Sequence, residues 1–215
     1  MTQAGYRHRI IIQDRSASMN DILAGAQSGL DEFIEAEGKA APPGKVTFSI
    51  WDFDTEIRCV HSFEGADAVR GYQIRPRGNT ALYDAAGMAV TAEGRNLAGL
   101  PEGERPEDVV VIIASDGREN SSQKWEGPQV AALLAQQQDV YKWRVLYMGC
   151  KQDAFAEGAK IGTRQGLTVN TASTNSGQEN AWKMSSDYLG RVPVAAATMD
   201  SLDLTDEERA RGESK

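Results

Sequence analysis

The chain reads as an α/β protein with a Rossmann-like, doubly wound and mostly parallel sheet, one antiparallel edge strand, and helices on both faces. Three observations predict it. Short apolar runs alternate with stretches of helical periodicity along most of the 215 residues. The runs are rich in β-branched residues with almost no polar interruption, as strands buried on both faces require. One pair of runs is joined so tightly, at Asp54-Thr55, that only an antiparallel connection fits.

Each element follows in order. Arg9 to Gln13 is a β-branched run ending at Asp14, a buried strand. Ile22, Leu23, Ala26, Leu30, Phe33 and Ile34 recur at helical spacing and stop before the turn Ala41-Pro42-Pro43-Gly44. Val46 to Phe53 and Glu56 to Phe63 form the tightly joined strand pair. A polar segment leads to Arg77-Gly78-Asn79-Thr80, followed by a helix with Leu82, Ala85, Ala86, Ala89 and Val90 on one face. Leu100 to Glu107 is a loop, and Val109 to Ala114 is the most apolar strand, ending at Ser115-Asp116-Gly117.

Gly127-Pro128 opens the next helix, with proline where its missing N–H is not needed. Trp143 to Met148 is a strand, and Asp153 is placed to cap a helix running to about Ile161. A short strand covers Leu167 to Asn170. Ser176-Gly177-Gln178-Glu179 has capping-box spacing before a last helix to about Arg191. Residues 1–199 read as one domain, and 200–215 as a charged, disordered tail.

Composition narrows the function. Forty per cent hydrophobic and 25% charged residues are enough for a packed core. The net charge of −8, without a Lys/Arg-rich run, argues against nucleic acid as a partner. The longest apolar stretch is far too short to span a bilayer, and Met1 to Arg9 lacks the pattern of a secretory signal, so no membrane partner and a cytoplasmic location are expected. Cys59 and Cys150 read as two buried, reduced thiols. With no CxxC and only His8 and His61, a zinc site is not indicated.

Two strands end alike: an apolar run, an aspartate, then small polar residues. In doubly wound sheets ligands collect at the carboxyl ends of strands where the strand order reverses. If the strands ending at Asp14 and Asp116 are neighbours there, both carboxylates reach one crevice. Asp14-Arg15-Ser16-Ala17-Ser18 adds hydroxyls at alternate positions. Such hard oxygen donors suit Mg²⁺, with Mn²⁺ or Ca²⁺ also possible, rather than thiophilic metals. Taken singly, Ser16, Ser18 or Thr80 could be no more than a helix N-cap, and Asp116-Gly117 a plain turn.

Asp14-x-Ser16-x-Ser18, Thr80 within Arg77-Gly78-Asn79-Thr80-Ala81-Leu82-Tyr83-Asp84, and Ser115-Asp116-Gly117 together resemble the metal-ion-dependent adhesion site (MIDAS) of a von Willebrand factor A domain. The likeness extends over nearly the whole chain, including Gly149 to Ala156, and is greatest to small stand-alone proteins of this family in bacteria and their phages. The resemblance implies that Ser16 and Ser18 coordinate the metal directly. It implies that Asp14 and Asp116 act directly or through water, and that Thr80 joins or leaves with ligand state. The family usually has glycine where this chain has Ala17, and glycine is also commoner than Asn79 before the threonine.

The function implied is a non-enzymatic module whose metal takes an acidic side chain of a partner protein. The alternative is a metal-dependent hydrolase or phosphatase using the same strand-end aspartates. Against it, an aspartyl-phosphate enzyme would place a second acid where Ser16 stands, and no histidine lies near the motif. Asp52, Asp54 and Asp84 read as solvated or capping acids, and Trp125 as bordering the metal face.

Overall fold

In the computed structural model, the residues described are 2–39, 45–150, 153–192 and 203–214. Six strands form one sheet: β1 (Gln3–Asp14), β2 (Val46–Phe53), β3 (Ile57–Glu64), β4 (Pro106–Ser115), β5 (Arg144–Cys150) and β6 (Thr168–Thr171). Their spatial order is β3-β2-β1-β4-β5-β6. All neighbours are parallel except β2 and β3, so the antiparallel pair lies at one edge. The helices are α1 (Leu23–Lys39), a short α2 (Ala66–Val69), α3 (Leu82–Gly99), α4 (Gly127–Asp139), α5 (Ala154–Lys160), α6 (Asn175–Arg191) and α7 (Asp206–Glu213). Among the described residues, no helix is long and apolar enough to cross a membrane.

Alternation along the central strands explains why both faces are covered. Ile11 of β1 and Ile112 of β4 point into a core built with Phe33 of α1 and Trp182 of α6. Ile10, Ile12, Val111 and Ile113 point the other way, against Leu82 and Val90 of α3 and Leu134 of α4. Every one of these side chains is at most 1% exposed. Gly29 lets α1 and α6 approach closely, because a Cβ there would lie 2.7 Å from the Trp182 ring.

The strand order reverses between β1 and β4. Ile12 pairs with Ile113 and Gln13 with Ala114, which brings the carboxyl ends of the two strands side by side. This is the adjacency on which a shared crevice for Asp14 and Asp116 depends.

Three details differ from the sequence reading. Residues 206–213, expected within a disordered tail, form α7. Thr205 and Glu208 close a capping box, Arg191 grips Glu208 at 2.8 Å through two nitrogens, and Arg209 donates to the Thr168 carbonyl at 2.6 Å. A charged helix with few apolar residues is thus docked by ion pairs and hydrogen bonds that composition does not display. The cap of α6 is Thr174, which accepts from Gly177 N at 3.0 Å, rather than a box starting at Ser176. Cys150 is buried, but Cys59 is exposed, because β3 is the edge strand and half of it faces outward. The turn at 41–44 lies outside the described residues.

Candidate metal centre

Three segments meet at the carboxyl end of β1 and β4. Asp14 closes β1, and the chain then bends so that Asp14 Oδ1 accepts from Ser16 N at 2.6 Å. That backbone hydrogen bond turns residues 16–18 back over the strand end, an Asx-type turn. Ser16 Oγ and Ser18 Oγ stand 3.0 Å apart, and Ser18 Oγ donates to Asp116 Oδ1 at 2.6 Å. From β4, Ser115 Oγ donates to Asp14 Oδ2 at 2.6 Å. Each strand's carboxylate is therefore held by a hydroxyl from the other strand's segment.

Thr80 arrives on the third segment, just ahead of α3, and is 2% exposed. Gly117 shows how tightly it is placed. A Cβ on Gly117 would lie 2.7 Å from Thr80 Oγ1 and 3.6 Å from Ser18 Oγ, so only glycine leaves the hydroxyls their space. Thr80 is fixed by a reciprocal pair with Asn120: Thr80 N donates to Asn120 Oδ1 at 2.9 Å, and Asn120 N donates to Thr80 O at 3.0 Å. All five residues anticipated from the sequence, Asp14, Ser16, Ser18, Thr80 and Asp116, thus lie in one cluster.

The two departures from the family pattern leave the loops formed. Ala17 N donates to Gly78 O at 3.1 Å, and neither Ala17 nor Asn79 takes a positive φ. The left-handed residue is Gly78, at φ 65°, where a Cβ would also press within 2.8 Å of Thr55 Oγ1.

Several supporting residues were not recognised in the sequence as parts of the site. Arg15, inside the DxSxS run, is 2% exposed and runs back to Asp52 at 3.2 Å and Asp54 at 3.0 Å. Asp54 also holds Arg77 at 2.6 Å, while its carbonyl accepts from Ala81 N. Asp52 and Asp54 are therefore buried ion-pair partners and not solvated acids. Together with Arg15 they tie the serine loop to the threonine loop.

Asp84 does cap, but across the molecule: it accepts from Gln123, Lys124 and Trp125 N at 2.8–2.9 Å. In return, Glu119 and Ser122 accept from the first N–H groups of α3 at Tyr83 and Asp84. The loop after Asp116 is thereby locked onto the start of α3. Trp125 packs on Gly87 of α3, where a Cβ would sit 2.2 Å from the indole. The signal for Arg15 was its place inside the DxSxS run, directly after a strand-end acid. The signal for Ser115 was its adjacency to Asp116.

The donor set suits a divalent cation of the hard kind. Among the described residues, no group of three or more His, Cys, Asp or Glu is placed to hold a metal, so a soft or imidazole-rich site is not what this cluster offers. It offers two carboxylates and three hydroxyls, the oxygen chemistry of Mg²⁺, Mn²⁺ or Ca²⁺. Asp14 is fully buried and has no ion pair among the described residues. Burial pushes its carboxyl up to about 6 against the opposing hydrogen bonds from Ser115 and Ser16, and Asp116 adds to the rise. A buried carboxylate facing a second one is the environment a bound cation relieves.

Comparison with known proteins agrees on the architecture. Structures of proximal thread matrix protein 1 from the mussel byssus superpose with TM-scores of 0.62, 0.61 and 0.63 at 15, 16 and 17% identity. They cover 84–86% of this chain, which spans 46–47% of theirs. The third of those structures has a zinc-occupied MIDAS motif. No protein-family model matches the chain, and no curated protein matches it. The likeness establishes the fold: the Rossmann-like, mixed sheet of a von Willebrand factor A domain, with β3 as its antiparallel edge.

Proposed function

We propose that this chain is a metal-dependent protein-binding module. In this reading a divalent cation, Mg²⁺ in the first instance, is held by Ser16, Ser18, Thr80, Asp14 and Asp116. The observation that carries the reading is the run Ser16 Oγ, Ser18 Oγ, Asp116 Oδ1, at 3.0 and 2.6 Å, joining residues 98 apart in sequence. Five oxygen-bearing side chains from three segments converge at the switch point, where this class of sheet binds ligands. The zinc-occupied MIDAS of the mussel protein supports a divalent metal in such a fold, while the oxygen-only donors here favour harder ions.

The roles follow from the bonds. Ser16 and Ser18 supply neutral oxygen donors: Ser18 donates its proton to Asp116 and Ser16 meets Ser18, leaving lone pairs for the ion. Asp14 and Asp116 orient those hydroxyls and supply negative charge. Thr80 is presented by the loop that Asn120 fixes. What the bound ion adds is an open coordination position that a carboxylate from a partner protein can occupy. A binding role fits better than hydrolysis, because both histidines are engaged elsewhere. His8 is sealed between Thr47 and Glu93, and His61 pairs with Glu64 on the edge strand. A cytoplasmic setting accords with Cys59 and Cys150 both being thiols.

Two measurements test the proposal. Isothermal titration with MgCl₂ and MnCl₂ should show one saturable site, weakened at least about tenfold, or about 1.4 kcal/mol, in Ser18→Ala and Asp116→Ala. Wild-type protein that takes up neither ion would end the metal reading. Affinity capture in Mg²⁺ should then recover proteins lost both on EDTA treatment and in Ser18→Ala. A recovered set indifferent to both changes would end the partner reading and leave the metal site standing.

A further inference from the structure

The opposite end of the sheet holds a second feature. A cavity of about 460 Å³ opens between α3 and α4, over the amino ends of β4 and β5. Its walls are Val90, Leu97, Val109, Leu133 and Trp143, an apolar lining of the kind that encloses small ligands. Tyr141, 59% exposed, extends the wall at the mouth.

Two buried residues of this lining carry polar groups that have no hydrogen-bond partner among the described residues. Gln137 is only 7% exposed, yet its side-chain amide makes no hydrogen bond among the described residues, nor is it sealed away from accessible space. The same holds for the indole N–H of Trp143, also 7% exposed. Both groups are open to the cavity, so a ligand there can pair with them in place of water. Both have donors to offer.

The charges at the rim add a sign. Arg105 is committed to the carbonyls of Leu100 and Ala98, Lys142 to that of Asp139, and Glu107 accepts from Gly5 N. Arg95 is exposed, lines the cavity and has no ion pair or hydrogen-bond partner among the described residues. The lining carries three cationic side chains against one acid, on a chain of net charge −8.

We propose that this cavity is a binding site for a small amphipathic carboxylate. Its apolar body lies against Trp143, Leu97 and Leu133, its polar edge meets Gln137, and its carboxylate meets Arg95. The site is separate from the metal centre and does not depend on it.

Gly94 supplies a clean test. It lines the cavity on α3, and a Cβ there meets nothing within 4 Å, so a larger side chain starts in open space at the cavity wall. Replacing a mid-helix glycine also favours the helix. Naphthalene-2-carboxylate, titrated calorimetrically into the full chain in EDTA, should bind at one site with a sub-millimolar Kd. Naphthalene-2-carboxamide and the Arg95→Gln variant should each bind about tenfold more weakly. Gly94→Phe should abolish binding while melting no lower than wild type. Absence of saturable binding to folded wild-type protein would overturn the proposal. So would undiminished binding by Gly94→Phe, or equal binding of the neutral amide.

Discussion

The two ends of β1 bury carboxylates in opposite ways. Toward its start, Arg9 donates to Glu37 at 2.7 Å and to Asp108 at 2.8 Å, and Arg144 donates to Asp108 at 2.8–2.9 Å. Burial pushes Asp108 upward, but the two guanidinium groups outweigh it and hold the carboxyl below its usual range. At its end, the donors to Asp14 among the described residues are a hydroxyl and an N–H, and burial pushes it up to about 6. One end carries its own cations and is closed. The other provides oxygen donors without a cation of its own at Asp14, and that is what a site for an external ion needs. Buried acids thus identify a metal centre only when the neighbouring donors are counted with them.

The largest effect that could break this contrast is on stability without metal. Asp108→Asn leaves Arg9 and Arg144 buried beside a neutral amide, and should cost about 3–5 kcal/mol in urea denaturation. Asp14→Asn, in EDTA, removes a charge that burial already disfavours and keeps an acceptor for Ser16 N. It should cost less than about 1.5 kcal/mol. Equal costs would show that Asp14 is a structural acid like Asp108, with no vacancy of charge beside it.

The contrast also separates what was legible in the sequence from what was not. Strand-end aspartates, DxSxS and the threonine before α3 were readable, because local order and alternation place them on one edge of a parallel sheet. The pairing of β1 with β4 stood in the sequence only as a condition, because the rule about strand order says where ligands collect and not which strands are neighbours. Arg15 could not be placed. Its carboxylate partners, Asp52 and Asp54, are some forty residues away, and no local pattern says which acids a buried arginine will meet. The same holds for α7, whose docking rests on Arg191–Glu208 and Arg209–Thr168, contacts between residues without any shared periodicity. Cys59 was misplaced because the tightly joined pair implies one edge strand, and which of the two lies outermost, with a face open to solvent, emerges only with the sheet order.

A smaller effect sharpens the distinction. Free Mg²⁺ at a hundred times its Kd should stabilise the wild type by about 2.7 kcal/mol. The increment should vanish in Asp14→Asn and persist in Glu37→Gln, whose partner is Arg9 at the closed end. Thermal or urea unfolding with and without Mg²⁺ reads both. A lost increment in Glu37→Gln would mean that the two ends are coupled through β1, not independent.

The smallest effect concerns a third kind of carboxylate environment, between the two ends. Glu93 accepts from His8 Nε2 at 3.3 Å and Trp51 Nε1 at 2.8 Å, while His8 Nδ1 meets Thr47 Oγ1 and its ring stacks on Phe63 at 4.1 Å. Burial holds the His8 imidazole below its ordinary value of 6.5; Glu93 opposes this and Arg9 adds to it. The sign follows from linkage. An unfolded His8 takes up a proton near pH 6.5, and the folded one resists until lower pH. Stability is therefore full above pH 6.5 and declines as pH falls toward the folded value. The slope from this group is at most about 1.4 kcal/mol per pH unit, the worth of one proton. His8→Gln keeps a polar side chain beside Thr47 and Glu93 but cannot titrate, so its stability should fall less steeply between pH 6.5 and 5. Parallel curves would mean that Glu93 already holds His8 protonated, which would make this site a closed ion pair of the kind found at Asp108.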